Sequence, residues 1–368
     1  MLQPTLYLAI TNHGFGHATR MAAIAAEIQR QYPEVLLIFA TTAPRWLLES
    51  YISGHFILRP RAFDVGVVQS DSVTMDKTAT LEQLKQIRAR QSAIVASEAN
   101  FIRQNRVSLI LADIPPLVTL IAKAAGVPCW MVSNFGWDFI YRAWGGEFIE
   151  IADRIADCFS QCDRLFRLPL NEPMSAFPNI VDAGFTGGEP RYPAEQLRQT
   201  LRVHTPPERT VLMTFGGLGL ARIPYECLNQ FPDWQFITFD QEPPAFPNLI
   251  GLRNLRYGDA GVPLRPVDVM PLCGRVIAKP GFSTFSEACR LGTPVISITR
   301  DDFPEAAILL EGIQHYIPHR IVPTEDFFDG NWKFLREPLH PPLEQRPVTD
   351  GNQMITEAVI NFLQKAYH

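Results

Sequence analysis

The chain has 368 residues, 46% of them hydrophobic and 19% charged. At roughly 150 residues per domain this gives two to three globular domains with sizeable cores, and it excludes a disulfide-stapled peptide and a disordered chain. The 33 basic and 38 acidic residues leave a net charge of −5 with no run of five or more basic residues, so no nucleic-acid partner is expected.

Six cysteines, with no regular spacing beyond Cys158-x3-Cys162, read as reduced, buried thiols rather than a disulfide framework. The N-terminus runs straight into a short apolar stretch without the basic region of a signal peptide. No stretch approaches about 18 consecutive apolar residues. The expectation is a soluble, cytoplasmic protein, with peripheral membrane contact left open.

In chain order, residues 6–10, 35–40, 108–112 and 127–132 are short apolar runs that predict strands, and the amphipathic stretches 17–32 and 81–101 predict helices between them. Fully apolar strands separated by helices are what a parallel sheet covered on both faces requires. Residues 183–192, Ala-Gly-Phe-Thr-Gly-Gly-Glu-Pro-Arg-Tyr, lack periodicity and predict a linker. Alternation then restarts: strands at 211–214, 234–239, 275–278 and 294–298, helices at 225–230, 283–291 and 305–313. A last helical pattern, 353–366, follows Thr-Asp-Gly-Asn, which supplies an N-cap. The expected organisation is a first lobe at 1–182, a linker at 183–192, a second lobe at 193–350, and a C-terminal helix at 351–368 able to pack back on the first lobe. The fold class is α/β, two Rossmann-like, doubly wound parallel-sheet lobes.

Three Gly-rich turns sit at strand ends, where open α/β sheets bind ligands. The first contains His13, Gly14, Phe15, Gly16 and His17; it is neither Gly-x-Gly-x-x-Gly nor a P-loop. The second contains Gly216, Gly217, Leu218 and Gly219 and is expected to lead into a helix carrying Arg222. The third, Lys279-Pro-Gly281-Phe282-Ser283-Thr284, enters a helix bearing Glu287, whose N-terminal amides and dipole suit a phosphate. Two such loops in one lobe suit a diphosphate. The plainer alternative, tight βα connections with Ser283 and Thr284 as helix caps, stays open for each turn.

Two Rossmann-like lobes, the Gly-x-Gly-His turn, Pro-Gly-x-Ser-Thr-x-x-Glu-Ala at 280–288 and Gly-Thr-Pro-Val at 292–295 resemble GT-B glycosyltransferases, within that group MurG-like and UDP-glycosyltransferase enzymes. The stretches 14–20, 69–76 and 134–141 are more similar still to the glycosyltransferase-like N-terminal half of plant L-arabinokinases. No Pro-x3-Gly-x-Ser-Ser-Ser-Ala phosphate loop of a sugar kinase occurs, so arabinokinase activity is not expected.

The resemblance implies a GT-B fold with a cleft between its lobes, a nucleotide-sugar donor, most simply a UDP-sugar, on the second lobe, and an acceptor on the first. It implies His17 as general base, with His13 as the competing candidate, and Asp113 as the residue that orients it. Asp113 could equally cap the following helix. It further implies Glu287 as the ribose anchor, the alternative being an exposed Glu paired with Arg290. Asp301 and Asp302 would contact the donor sugar, although relatives carry Asp-Gln or Gln-Gln there.

Lys279 stands where retaining relatives have the first carboxylate of Glu-x7-Glu, which argues for inversion and places a cation near the diphosphate. No Asp-x-Asp or zinc-type spacing occurs, so no metal or cofactor is expected, the nucleotide-sugar being a substrate. The segment holding Asn134, Trp137, Asp138 and Tyr141 has six aromatics between 135 and 148. It reads either as a buried helix face or as a wall for a sugar, lipid or aromatic acceptor. Residues 69–76 are too polar for a buried strand and read as a loop over the cleft. The leading expectation is glycosyl transfer to an acceptor hydroxyl, with a non-catalytic nucleotide-sugar-binding module as the alternative and a sugar-nucleotide epimerase as a third.

Overall fold

In the computed structural model, which describes residues 3–253, 255–257 and 261–367, the apolar runs of the sequence become strands buried on both faces. The described residues of Met1–Gln69, Met75–Gly187 and Thr349–His368 make one unit, and Ser70–Thr74 with Gly188–Val348 make a second.

The first unit is a seven-stranded parallel sheet. Its strands are β1 (Thr5–Ile10), β2 (Leu36–Ala40), β3 (Ile57–Arg59), β4 (Leu109–Asp113), β5 (Cys129–Ser133), β6 (Arg164–Arg167) and β7 (Ile180–Asp182). They lie in the order β3-β2-β1-β4-β5-β6-β7. The helices are α1 (Gly16–Gln31), α2 (Arg45–Glu49), α3 (Lys77–Gln104), α4 (Leu117–Ala125), α5 (Trp137–Trp144) and α6 (Phe148–Phe159). All six residues of β1 and all five of β4 and β5 are buried, which is why they read as continuous apolar runs.

The second unit begins with α7 (Ala194–Thr200), then β8 (Thr210–Thr214), β9 (Gln235–Thr238), β10 (Leu249–Gly251), and a small ribbon of β11 (Arg256–Tyr257) and β12 (Val262–Pro263). It continues with α8 (Pro266–Val269), β13 (Arg275–Ala278), α9 (Phe282–Leu291), β14 (Val295–Ile298), α10 (Pro304–Ile313), β15 (His319–Val322) and α11 (Thr324–Phe328). Its six-stranded parallel sheet has the order β10-β9-β8-β13-β14-β15.

The chain returns to the first unit for α12 (Gly351–Tyr367). Asp350 Oδ1 accepts the Gln353 amide at 3.1 Å and caps it. Ile355, Val359 and Leu363, spaced four residues apart, are fully buried, each stabilising by roughly 1.5–3 kcal/mol. Phe185 N donates to Thr349 O at 2.9 Å and Gly351 N donates to Phe185 O at 2.8 Å. A Cβ on Gly184 or Gly351 would run into the backbone of the other segment.

The helix expected at 225–230 is a 3-10 turn, Tyr225–Gln230. Pro224 at its start and Phe231-Pro232 at its end leave no room for an α-helical turn to propagate. The polar stretch 69–76 contains the segment Ser70–Thr74, which packs within the second unit. Ser72 Oγ donates to Phe215 O at 2.6 Å, Ser72 N donates to Gly219 O at 3.0 Å, and Asp71 accepts the amides of Val73, Thr74 and Ala221. Among the described residues no helix is long and apolar enough to cross a membrane, and all six cysteines are free.

Candidate functional site

Ligands of open parallel sheets bind outside the carboxyl ends of the strands where strand order reverses. In the first unit that point lies between β1 and β4, where Ile10 pairs with Asp113. His17 enters on the first turn of α1, 7% exposed, and its Nδ1 lies 2.9 Å from Asp113 Oδ1. The following helix α4 has Pro116 as N-cap and no side-chain cap, so the carboxylate of Asp113 serves the dyad and not that helix.

Arg20, unflagged by sequence reasoning, lies one turn on from His17 on the same face and is 2% exposed. Its Nε donates to Asp113 Oδ2, and its Nη2 donates to Asp113 Oδ1 at 2.6 Å and to Ser133 Oγ at 3.2 Å. Its Nη1 donates to Asn134 Oδ1 at 2.9 Å. Burial pushes the Asp113 carboxyl up, but the charges of Arg20 and His17 and hydrogen bonds from both hold it below the usual carboxylate range. A carboxylate against Nδ1 selects the tautomer that carries its proton there, leaving Nε2 as the acceptor.

Around the dyad, His13 Nδ1 accepts the Val67 amide at 3.2 Å, and the His13 ring meets Trp137 edge-on at 5.2 Å. Gly14 takes a φ of +58°, Phe15 packs edge-on against Trp46, and Gly16 opens α1. Asn134 is buried and committed to Arg20. Trp137 and Tyr141 are each 1% exposed and stack on one another, with Trp137 Nε1 donating to Thr11 Oγ1 at 2.9 Å and Tyr141 Oη donating to Gly66 O at 2.6 Å.

The aromatic segment is therefore mostly a buried helix face. Trp137 and Tyr141 nonetheless also line a pocket of about 150 Å³ with Phe63, Asp64, Leu117 and Ile155. Burial pushes the carboxyl of Asp64 up, against hydrogen bonds from Thr11 Oγ1 and the Asn12 amide. Burial likewise raises Asp138, whose Oδ1 has no partner.

In the second unit the reversal lies between β8 and β13. After β8 the chain turns through Gly216 at φ +81° and Gly219 at φ +66°, left-handed conformations that favour glycine. Gly217 and Leu218 form the turn tip, Leu218 being exposed. The expected helix after this turn is absent: Arg222 is exposed and in no helix, because Pro224 disfavours the helical conformation at Ile223. A helix N-terminus therefore stands behind only one of the two loops.

That helix is α9, whose N-cap Gly281 provides no side-chain cap and whose first residues are Phe282, Ser283 and Thr284. Ser283 and Thr284 thus do not act as its N-cap. Lys279 reaches across both loops: its Cε lies 3.5 Å from where a Cβ on Gly216 would stand, and its Nζ 3.5 Å from one on Gly281. Burial and then the charge of Arg300 lower its ammonium to about 7.

Glu287 is 6% exposed, accepts the Gly188 amide at 3.1 Å, and is raised by burial to about 7. Arg290 pairs instead with Glu189. Asp301 and Asp302 lie exposed in the loop between β14 and α10. Among the described residues no group of three or more His, Cys, Asp or Glu could hold a metal ion.

No family model matches the chain. It is 27% identical to an L-arabinokinase of Arabidopsis thaliana over 337 residues, which are 88% of this chain and 31% of that protein; the chain thus spans less than a third of that relative's length. Among solved structures, it is similar to the Arabidopsis thaliana protein UGT89C1 complexed with UDP, with a TM-score of 0.56, 13% identity, and 97% and 94% of the two chains covered. It is also similar to CalG4, the calicheamicin glycosyltransferase, with a TM-score of 0.60, 14% identity and all of both chains covered. These likenesses show the fold, that of the GT-B glycosyltransferases, in two parallel-sheet α/β units.

Proposed function

We propose that the protein transfers a sugar from a nucleotide-sugar, most simply a UDP-sugar, to an acceptor hydroxyl, with inversion and without a metal. The observation that carries this reading is His17 Nδ1 at 2.9 Å from the buried Asp113, where the strand order of the first unit reverses. The acceptor hydroxyl loses its proton to His17 Nε2 as its oxygen attacks the anomeric carbon. Asp113 holds the ring and stabilises the imidazolium. The bond from the anomeric carbon to the diphosphate breaks with its electron pair on oxygen.

On the donor side, Gly217 to Gly219 and Gly281 to Thr284 hold the diphosphate with Lys279, and Glu287 takes the ribose hydroxyls. Asp301 and Asp302 reach the sugar from their exposed loop. UGT89C1 has been solved with UDP, and this supports a uridine nucleotide here. The pocket beside Trp137 and Tyr141 supports an acceptor with an apolar face.

A second reading, a nucleotide-sugar-binding module without turnover, draws on Arg20, which already satisfies both oxygens of Asp113. Incubation with a panel of UDP-, GDP-, ADP- and dTDP-sugars, with and without simple acceptors, separates the two. Release of nucleoside diphosphate by the wild type and its loss in His17→Ala supports transfer, whereas tight binding without release supports the module.

A further inference from the structure

Arg300 follows β14 by two residues and is 8% exposed, yet its Nε and Nη2 are buried with no hydrogen-bond partner. Its guanidinium rests on the face of Phe303, 4.4 Å from the ring centroid. A buried guanidinium ordinarily has its donors taken, as Arg20 does with Asp113, Asn134 and Ser133. Leaving two unmet costs stability unless a ligand satisfies them.

Lys279 follows β13, the strand paired with β14 in the register Ala278 to Ser297. The two cations therefore leave neighbouring strand ends, about 5 Å apart. Lys279 likewise makes no hydrogen bond or ion pair among the described residues. The charges that face this pair are Glu305, Asp71 and Asp302, and none of these carboxylates is in ion-pair contact with either cation. Burial lowers Arg300 to about 10 and Lys279 to about 7, and the charge of Arg300 adds to the lowering of Lys279, so the two cations lie within electrostatic reach of one another.

We propose that Arg300 and Lys279 form a two-cation receptor for a phosphate-type anion, the guanidinium Nε and Nη2 taking two phosphate oxygens side by side and the ammonium taking a third. A guanidinium fork matches phosphate geometry in this way, and an ammonium adds a point charge. The proposal rests on the donor reading above only in naming the anion as the diphosphate of a nucleotide-sugar. During transfer the diphosphate gains one negative charge as the bond to the anomeric carbon breaks. Arg300 and Lys279 stabilise that charge, while the proton goes to His17 and the new bond forms to the acceptor oxygen.

Calorimetric titration of the full chain with inorganic pyrophosphate, UDP and uridine tests this. The wild type is expected to bind pyrophosphate and UDP, and Arg300→Met to weaken both at least tenfold with uridine unchanged. Arg300→Lys should recover part of the loss. Removing an unpaired buried charge should leave the melting temperature of Arg300→Met equal or higher, whereas a purely structural arginine would lower it. Pyrophosphate binding that is equal in wild type and Arg300→Met overturns the proposal, as does UDP binding insensitive to Arg300, which leaves the donor reading standing. Arg300-dependent pyrophosphate binding with no nucleotide bound keeps the receptor and overturns the donor reading.

Discussion

Asp113 serves two donors with one carboxylate: Arg20 spans both of its oxygens while His17 Nδ1 sits 2.9 Å from Oδ1, and Arg20 Nη2 lies 3.0 Å from that same ring nitrogen. With Asp113 wholly buried and Arg20 2% exposed, this is an ion pair out of reach of water. Removing one partner strands the other. Arg20→Met is expected to destabilise the protein by about 3–5 kcal/mol, read from the midpoint of urea unfolding at constant m-value.

His17 contributes little to the fold by comparison, because the Asp113 carboxylate remains satisfied by Arg20 without it. His17→Ala should lower kcat by about 10² to 10⁴, the range of a lost general base, with the dissociation constant for UDP unchanged. Steady-state turnover and calorimetry on the same preparation check both halves.

Lys279 titrates at about 7, and a bound diphosphate favours its charged form. Binding at pH 8 should therefore take up a proton, measurable as a dependence of the calorimetric enthalpy on the buffer's ionisation enthalpy. Affinity should fall as pH rises above 7. Lys279→Met should abolish the proton uptake and flatten the pH profile.

Glu287 links the stability of the fold itself to pH. Its carboxyl is raised from 4.5 to about 7, so the folded state binds a proton that the unfolded state has released between those values. That contribution is fully present below pH 4.5 and is lost as pH rises through 7. Melting temperatures of Glu287→Gln and wild type between pH 5 and 8 should converge at the acid end and separate toward pH 8 in favour of the variant.

Gly216 has a φ of +81°, while a Cβ there would meet Lys279 Cε at 3.5 Å, an ordinary van der Waals distance. Gly216→Ala should therefore cost about 1–2 kcal/mol in backbone strain and leave the lysine in place. Urea unfolding should register the loss, with UDP affinity within about twofold of the wild type.

The sheet strands nearest the candidate sites were legible because β1, β4, β5 and β8 are buried along their whole length and β13 is buried after Arg275, so their centres read as apolar runs. The edge strands β3 and β7 were not, being three residues long and half exposed. His17 and Asp113 were named by the resemblance to UDP-glycosyltransferases, at a turn and a strand end where ligand sites gather, and the fold brings the two side chains to 2.9 Å.

Arg20 and Arg300 could not be found so easily, since an arginine in sequence reads as a surface residue unless its buried partner is known. The helix expected at Arg222 failed on local chemistry: Ile223-Pro224 follows too soon. Asn134 looked like a wall residue, but its carbonyl oxygen belongs to Arg20, a pairing across 114 residues that no local pattern encodes.

Hydrogen–deuterium exchange with and without UDP tests most directly whether the second unit holds the donor. Protection concentrated in residues 215–219 and 281–285 is the predicted result. Exchange unchanged in both segments at saturating UDP, or protection confined to the first unit, would contradict it.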